Sequence, residues 1–198
     1  YLTFALYDFL TDQLGMTPMV TGIELRPALV DFCNKTAQSV AFSGLQFVAQ
    51  DINQYDPPRL DMLIALHACD TATDLALSKG ILSKAGIIVV APCCHKQIRK
   101  EMNTKSPMAA VLRNGILEER QAEIVTDGIR ALLLESKGYQ TKVFEFISTD
   151  HTAKNVMITA ITSKKEAPKQ KVLDKIAALK AGFGIREHYL EGLLEGMK

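Results

Sequence analysis

The sequence predicts an α/β fold: a mostly parallel sheet with helices on both faces, ending in an antiparallel hairpin. Three observations carry this expectation. Strand-like and helix-like patterns alternate through the whole 198-residue chain, as they do when helices cover a parallel sheet. Residues 86–91 are nearly pure Ile and Val after Gly86, the composition of a central strand buried on both faces. The last two strand patterns, residues 140–148 and 155–162, are joined too tightly for a right-handed crossover, so they must pair antiparallel.

The elements follow in order. Leu2, Ala5, Leu6, Phe9 and Leu10 share one helical face. A chain that opens on Tyr1 inside such a helix is expected to be N-terminally truncated. Gly15 and Pro18 break the chain, and residues 19–23 form a short buried strand. Pro27 suits the first turn of a helix reaching residue 40. Residues 45–49 and 60–65 are strand-like, with the loop Tyr55-Asp56-Pro57-Pro58 between them. A helix over 71–84, the strand over 86–91 and helical material over 96–137 precede the hairpin. The Lys-rich tail, with Val172, Ile176 and Leu179 at helical spacing, is expected as a helical appendage over 164–198, packed on the domain of residues 1–163.

Composition sets limits. Hydrophobic residues make up 47% and charged residues 23%, and 23 Lys and Arg face 22 Asp and Glu. No strong global field therefore points to a polyanion or a membrane surface. No apolar run approaches the ~20 residues of a membrane span. Cys33, Cys69, Cys93 and Cys94 are too few for a disulfide framework and include an adjacent pair. Reduced thiols imply a cytoplasmic or nuclear protein, with the cytoplasm preferred.

Open parallel sheets hold ligands at the carboxyl ends of their strands, so those ends supply the candidate residues. Glu24 follows the strand over 19–23, the second strand of such a fold when its first lies upstream of Tyr1, and can accept hydrogen bonds from two ribose hydroxyls; Leu25 follows it. In nucleotide-binding folds this acid lies ~20 residues beyond a glycine loop. Glu24 lies 23 residues after Tyr1, which places those glycines just upstream of Tyr1. The alternative is a surface Glu favoured by the start of the next helix. Asp51 can accept from an exocyclic amine while Ile52 packs on a ring, or it can be a turn Asp.

After the fourth strand, His67 is a candidate general base and Asp70 a candidate substrate contact, whereas Thr71 and Asp74 read as a capping box. Beside it, Pro92-Cys93-Cys94-His95 ends the fifth strand. Cys94 and His95 are candidates for catalysis and Cys93 for substrate contact. These residues with Cys69 could converge as sulfur and imidazole ligands. There is no C-x-x-C spacing, however, and adjacent cysteines rarely hold one ion, so no metal is expected. In the hairpin loop, Lys154 or His151 could meet a phosphate and Asn155 is a candidate substrate contact, or the loop is a solvated turn.

Together these residues resemble a family. Tyr1-Leu2-Thr3 is similar to the end of a D-x-G-x-G-K-G-Y-L-T signature. This signature belongs to the methyltransferase-domain group of ribosomal-RNA-adenine-dimethylase-domain-containing and glutathione-S-transferase-C-terminal-domain-containing proteins. Glu24, His67-Ala68-Cys69, Pro92-Cys93-Cys94-His95 and His151-Thr152-Ala153-Lys154-Asn155 match further signatures in the same order. The His-x-Cys string with the Cys-Cys is also similar to tRNA acceptor-stem 2′-O-ribose methyltransferases.

The resemblance implies a Rossmann-like class I methyltransferase fold and S-adenosylmethionine as cofactor, held by Tyr1, Glu24, Leu25, Asp51, Ile52 and His67. It says much less about the substrate; RNA is expected as the acceptor because Lys96, Arg99 and Lys100 follow the Cys-Cys-His string and Lys154 sits on the neighbouring hairpin loop, where they can meet its backbone. The chain departs from the group at Cys69-Asp70, where relatives commonly have Cys-Gly. A non-catalytic binding module of the same fold, a protein or small-molecule methyltransferase, and a nicotinamide-dependent oxidoreductase are the competing readings.

Overall fold

The computed structural model describes residues 1–66, 68–103, 107–148, 151–152, 154–163 and 168–196. The fold is of the α/β class and divides into two compact units, Tyr1–Asp56 and Pro57–Lys198.

The first unit contains helix α1 (Leu2–Asp8), a π-helical turn (Phe9–Gln13), strand β1 (Val20–Glu24), helix α2 (Pro27–Ser39) and strand β2 (Leu45–Ala49). The two strands pair in parallel with Glu24 opposite Ala49. Tyr7, Ala37 and Leu45 form the buried centre, with Phe4, Val20, Phe42 and Phe47 against it. Asn34 of α2 donates to Phe47 O at 2.9 Å and accepts from Phe47 N at 2.8 Å. Its amide thus supplies the partners that β2 lacks there, and an unpaired strand edge is covered.

The second unit contains β3 (Met62–Leu66), α3 (Thr71–Leu82), β4 (Ile87–Ala91), α4 (Lys96–Glu101), α5 (Ala109–Leu112), α6 (Gly115–Ser136), β5 (Tyr139–Glu145), β6 (Val156–Thr162), α7 (Lys169–Phe183) and α8 (Tyr189–Glu195). Its sheet has the order β3-β4-β6-β5. β3 and β4 are parallel, and β6 is antiparallel to both of its neighbours, with Val89 opposite Thr159 and Lys142 opposite Thr159. The hairpin expected from sequence is present, and its returning strand is the one inserted beside β4. The helical stretch expected over 96–137 is three helices, because Met102 (ψ 120) and Asn114 (ψ 115) leave the helical region. Gly80 lets α3 sit close on β4, since a Cβ there would stand 2.9 Å from Ile88. Gly184, at φ 67, ends α7 in the left-handed conformation that an L side chain resists. The tail is part of this unit's core: Val172, Ile176, Leu190 and Leu194 are buried with Leu77, Ile88, Val90, Ile129 and Ile158.

Arg130 of α6 is fully buried, with its side chain 0% exposed. Its Nε and Nη2 donate to Asp74 of α3 at 2.8 and 3.0 Å, its Nη1 to Asp127 at 3.1 Å, and its Nη2 to Asp70 O at 2.9 Å. The expected Thr71–Asp74 capping box is therefore corrected. Asp70 is the N-cap and makes no side-chain capping bond to α3, and Asp74 turns into the core to meet Arg130. Asp74 is buried, and Arg130 supplies the fixed counter-charge that a carboxylate away from water requires.

Near this network His188 caps α8, with Nδ1 accepting from Leu190 N at 3.2 Å. Accepting at Nδ1 requires the neutral ring. Burial, reinforced by the Arg130 charge, lowers the His188 pKa to about 4, although Asp74 and Glu191 pull the other way.

Two stability predictions follow from these groups. Arg130→Met leaves Asp74 and Asp127 buried without their counter-charge and lowers the unfolding free energy by about 3–5 kcal/mol in denaturant titration. A loss under ~1 kcal/mol would contradict the network's role. For His188, the unfolded chain binds a proton below its ordinary pKa while the folded chain stays neutral to about 4. Stability therefore falls as pH drops from about 6.5 towards 4, by up to about 3 kcal/mol. His188→Asn keeps a capping acceptor and should flatten this part of the stability–pH curve.

Candidate functional site

The candidate residues fall at two sets of strand ends, one in each unit. In the first unit Glu24 and Asp51 stand at the carboxyl ends of the paired strands β1 and β2, where Gln50 N donates to Glu24 O at 3.1 Å. The sequence placed them at strand ends, and the parallel register puts both on one edge. Glu24 accepts from Arg26 Nε at 2.9 Å and from Arg26 N at 3.1 Å. These bonds and the guanidinium charge hold its carboxyl below the ordinary range. Asp51 accepts at Oδ1 from Asn53 N at 2.8 Å, the side-chain turn that was its alternative reading. Leu25 and Tyr1 are exposed and Ile52 is half-buried.

In the second unit the loops after β3 and β4 lie side by side, because the two strands are parallel neighbours. His67 lies outside the described residues. Asp70 has φ 51, a conformation natural to glycine and costly for other residues by roughly 1–3 kcal/mol. Its bonds explain why it is held there: its carbonyl meets Arg130, and its Oδ1 accepts from Gln97 N at 3.2 Å. Asp70 thereby satisfies a first-turn N–H of α4, the helix that opens after His95.

Cys69, Cys93 and Cys94 meet at their sulfurs. The Sγ–Sγ distances are 3.3 Å for Cys69–Cys93, 3.8 Å for Cys93–Cys94 and 3.8 Å for Cys94–Cys69. Cys69 is exposed and the other two are half-buried. Desolvation, then its hydrogen bonds with both neighbouring thiols, pushes the Cys93 thiol up to about 12. Cys33 belongs to the first unit and is not part of this group.

His95 is 8% exposed, with Nε2 3.0 Å from Asp127 Oδ1. Asp127 also accepts from Arg130, so it acts as an acceptor and His95 Nε2 carries the proton. Nδ1 is then a buried acceptor with no partner among the described residues. A cavity of about 70 Å³ lies between Cys94, His95, Lys96, Arg99, Glu119, Ala122 and Glu123. The larger hollow, about 510 Å³, is lined by Pro57, Pro58, Arg59, Leu82, Ser83 and Lys84 at the amino ends of β3 and β4. It is away from the carboxyl ends of the strands, and its lining carries no carboxylate, thiol or imidazole.

Three of the remaining expected contacts, Asn155, Lys154 and Arg99, are committed elsewhere. Asn155 is 2% exposed and donates to Ile147 O at 2.7 Å, closing the hairpin loop. Lys154 is ion-paired with Glu123, and Arg99 with Glu118 and Glu119. His151 and the two lysines of α4, Lys96 and Lys100, are exposed. Sequence reasoning missed Asp127 and Arg130, which orient His95 and the Asp70 loop. The available signal was a pair of opposite charges three residues apart on the apolar face of α6, between Val125, Ile129 and Leu133.

No curated protein matches the chain. A family model described as a methyltransferase domain matches residues 1–101, a stretch containing both sets of strand ends and closing with α4. By that match over half its length, the chain belongs to a methyltransferase-domain family.

Proposed function

We propose that the protein is an S-adenosylmethionine-dependent methyltransferase whose acceptor is RNA. The observation that carries the methyl-transfer reading is the family match over residues 1–101. The residues present fit the cofactor's chemistry at the acid edge. Glu24 is an ionised carboxylate with its side chain 30% exposed, able to accept from two ribose hydroxyls once the exposed Arg26 swings aside. Asp51 has only Oδ1 engaged by side chain and turn among the described residues, leaving Oδ2 for an amine donor. Leu25 and Ile52 offer apolar surface beside them.

S-adenosylmethionine, when bound, supplies the electrophilic methyl group. The chain's own residues position the acceptor and take its proton. Methyl transfer demands an in-line approach, so much of the acceleration comes from orientation. The loops after β3 and β4 suit that role, because Asp70, His95 and Arg130 fix them to α4 and α6. For a ribose hydroxyl a base is needed as well. His67 is the first choice by its position at the end of β3. His95 Nδ1, whose ring is held by Asp127, is the alternative within the described residues.

RNA as acceptor is supported by Lys96 and Lys100 on the exposed side of α4, which have no carboxylate partner among the described residues. Arg99 and Lys154 are already neutralised by glutamates. The phosphate contact is accordingly small, and a neutral overall charge adds nothing to it.

Glu24→Ala is expected to weaken S-adenosylmethionine binding by about 1.5–3 kcal/mol in calorimetry, the loss of charge-assisted bonds. Unchanged affinity would remove Glu24 from the site, and no binding by the unaltered full-length protein would overturn the cofactor assignment. With methyl-labelled cofactor and separate RNA and protein pools, label should appear in RNA; label confined to protein would overturn the acceptor. Replacing Lys96 and Lys100 by Ala should lower the salt slope of RNA binding by about 0.7 for each lysine that meets a single-stranded phosphate.

A further inference from the structure

We propose that Cys69, Cys93 and Cys94 form a binding site for one thiophilic d10 cation, Zn²⁺ first among them, with three thiolate ligands and one open position. The inference is independent of the cofactor and of the acceptor.

The geometry carries it. Around a tetrahedral zinc the zinc–sulfur distance is about 2.3 Å, so ligand sulfurs stand about 3.8 Å apart. Two edges of the sulfur triangle are 3.8 Å and the third is 3.3 Å. Its circumradius is about 2.1 Å, so an ion ~2.3 Å from each sulfur sits just outside their plane. That is where a tetrahedral centre with a free fourth vertex belongs. At 3.3 Å, moreover, Cys69 and Cys93 are closer than two unbonded sulfurs rest in van der Waals contact.

Adjacent cysteines do not normally serve one ion, because successive side chains of a strand point to opposite faces. Here the strand ends at Ala91, and Cys93 and Cys94 lie in the turn before α4. The turn aims both sulfurs at Cys69 on the neighbouring loop. The scaffold holds this arrangement from behind. Arg130 binds the Asp70 carbonyl next to Cys69, Asp127 binds His95 next to Cys94, and Asp70 Oδ1 ties one loop to the other through Gln97. Ligands held by such second contacts need little rearrangement to bind.

The donor set names the class of ion. Three sulfurs without a carboxylate oxygen favour Zn²⁺ or Cu⁺ and disfavour Mg²⁺, Ca²⁺ and Mn²⁺. The exposure of Cys69 provides an entry path, and three protein ligands leave the fourth vertex to water or to a substrate donor. The site stands at the carboxyl ends of β3 and β4, where parallel sheets bind ligands.

Metal-free, fully reduced protein titrated anaerobically with Co²⁺ tests the proposal. A sulfur-to-cobalt charge-transfer band should grow and saturate at one equivalent, and Zn²⁺ should abolish it. Losing an outer contact of a metal site costs about 10–100-fold in affinity, so Cys69→Ser, at an exposed position, should cost at least about 100-fold. The band of that variant should fall by about a third, from three sulfurs to two. Cys33→Ser should leave band and affinity unchanged. Absence of the band in the unaltered protein overturns the proposal without recourse to any variant. So does a Cys69→Ser titration that matches the unaltered protein, with folding of the variant checked by circular dichroism.

Discussion

The second unit is organised around a single buried guanidinium. Arg130 sits at 0% exposure in the middle of α6 and spends its donors on two carboxylates and a backbone carbonyl. A charge that far from water is tolerable only if its partners are fixed and numerous. Those partners come from three places: Asp74 on α3, Asp127 one turn earlier on α6, and the carbonyl of Asp70 in the loop after β3. The same group therefore sets the distance between two helices and the path of a loop. Asp127 extends the influence to His95, at the end of the next loop.

This arrangement explains why Asp70 can persist at a positive φ. A glycine would adopt that conformation without strain, but it would lack the carboxylate that meets Gln97 N. The strain is offset by two hydrogen bonds, one through the carbonyl and one through the side chain. As a result the β3 and β4 loops are mutually braced. Cys69, Cys93 and Cys94 occupy the braced turns, which is why three thiols from two separate stretches come within 3.8 Å of one another.

The acid edge of the first unit is built differently. Glu24 and Asp51 are placed by strand register and held by short local bonds to Arg26 and Asn53. Such contacts, between residues two apart and open to solvent, rearrange at little cost. A loosely held acceptor pair suits a ligand that must enter and leave, whereas a braced loop suits the orientation of reacting groups.

The sequence by itself determined the order of elements and the strand ends at which chemistry could occur. Periodicity and turn residues are local: residues 45–49 were read as a strand and are one, and Pro27 opened a helix as its fixed φ requires. The shortness of the final loop decided the hairpin, because no crossover fits into it. The tertiary structure alone decided partners. Asp74 has the spacing of a capping residue, and only the arrival of Arg130 from 56 residues away turns it inward. Asn155 and Lys154 read as a polar loop, and only packing shows one closing the turn and the other meeting Glu123. Two adjacent cysteines carry no ligand spacing in one dimension; they gain it when a parallel neighbour brings Cys69 within reach. Local patterns report backbone conformation, whereas the fate of a charge or a thiol depends on residues far along the chain.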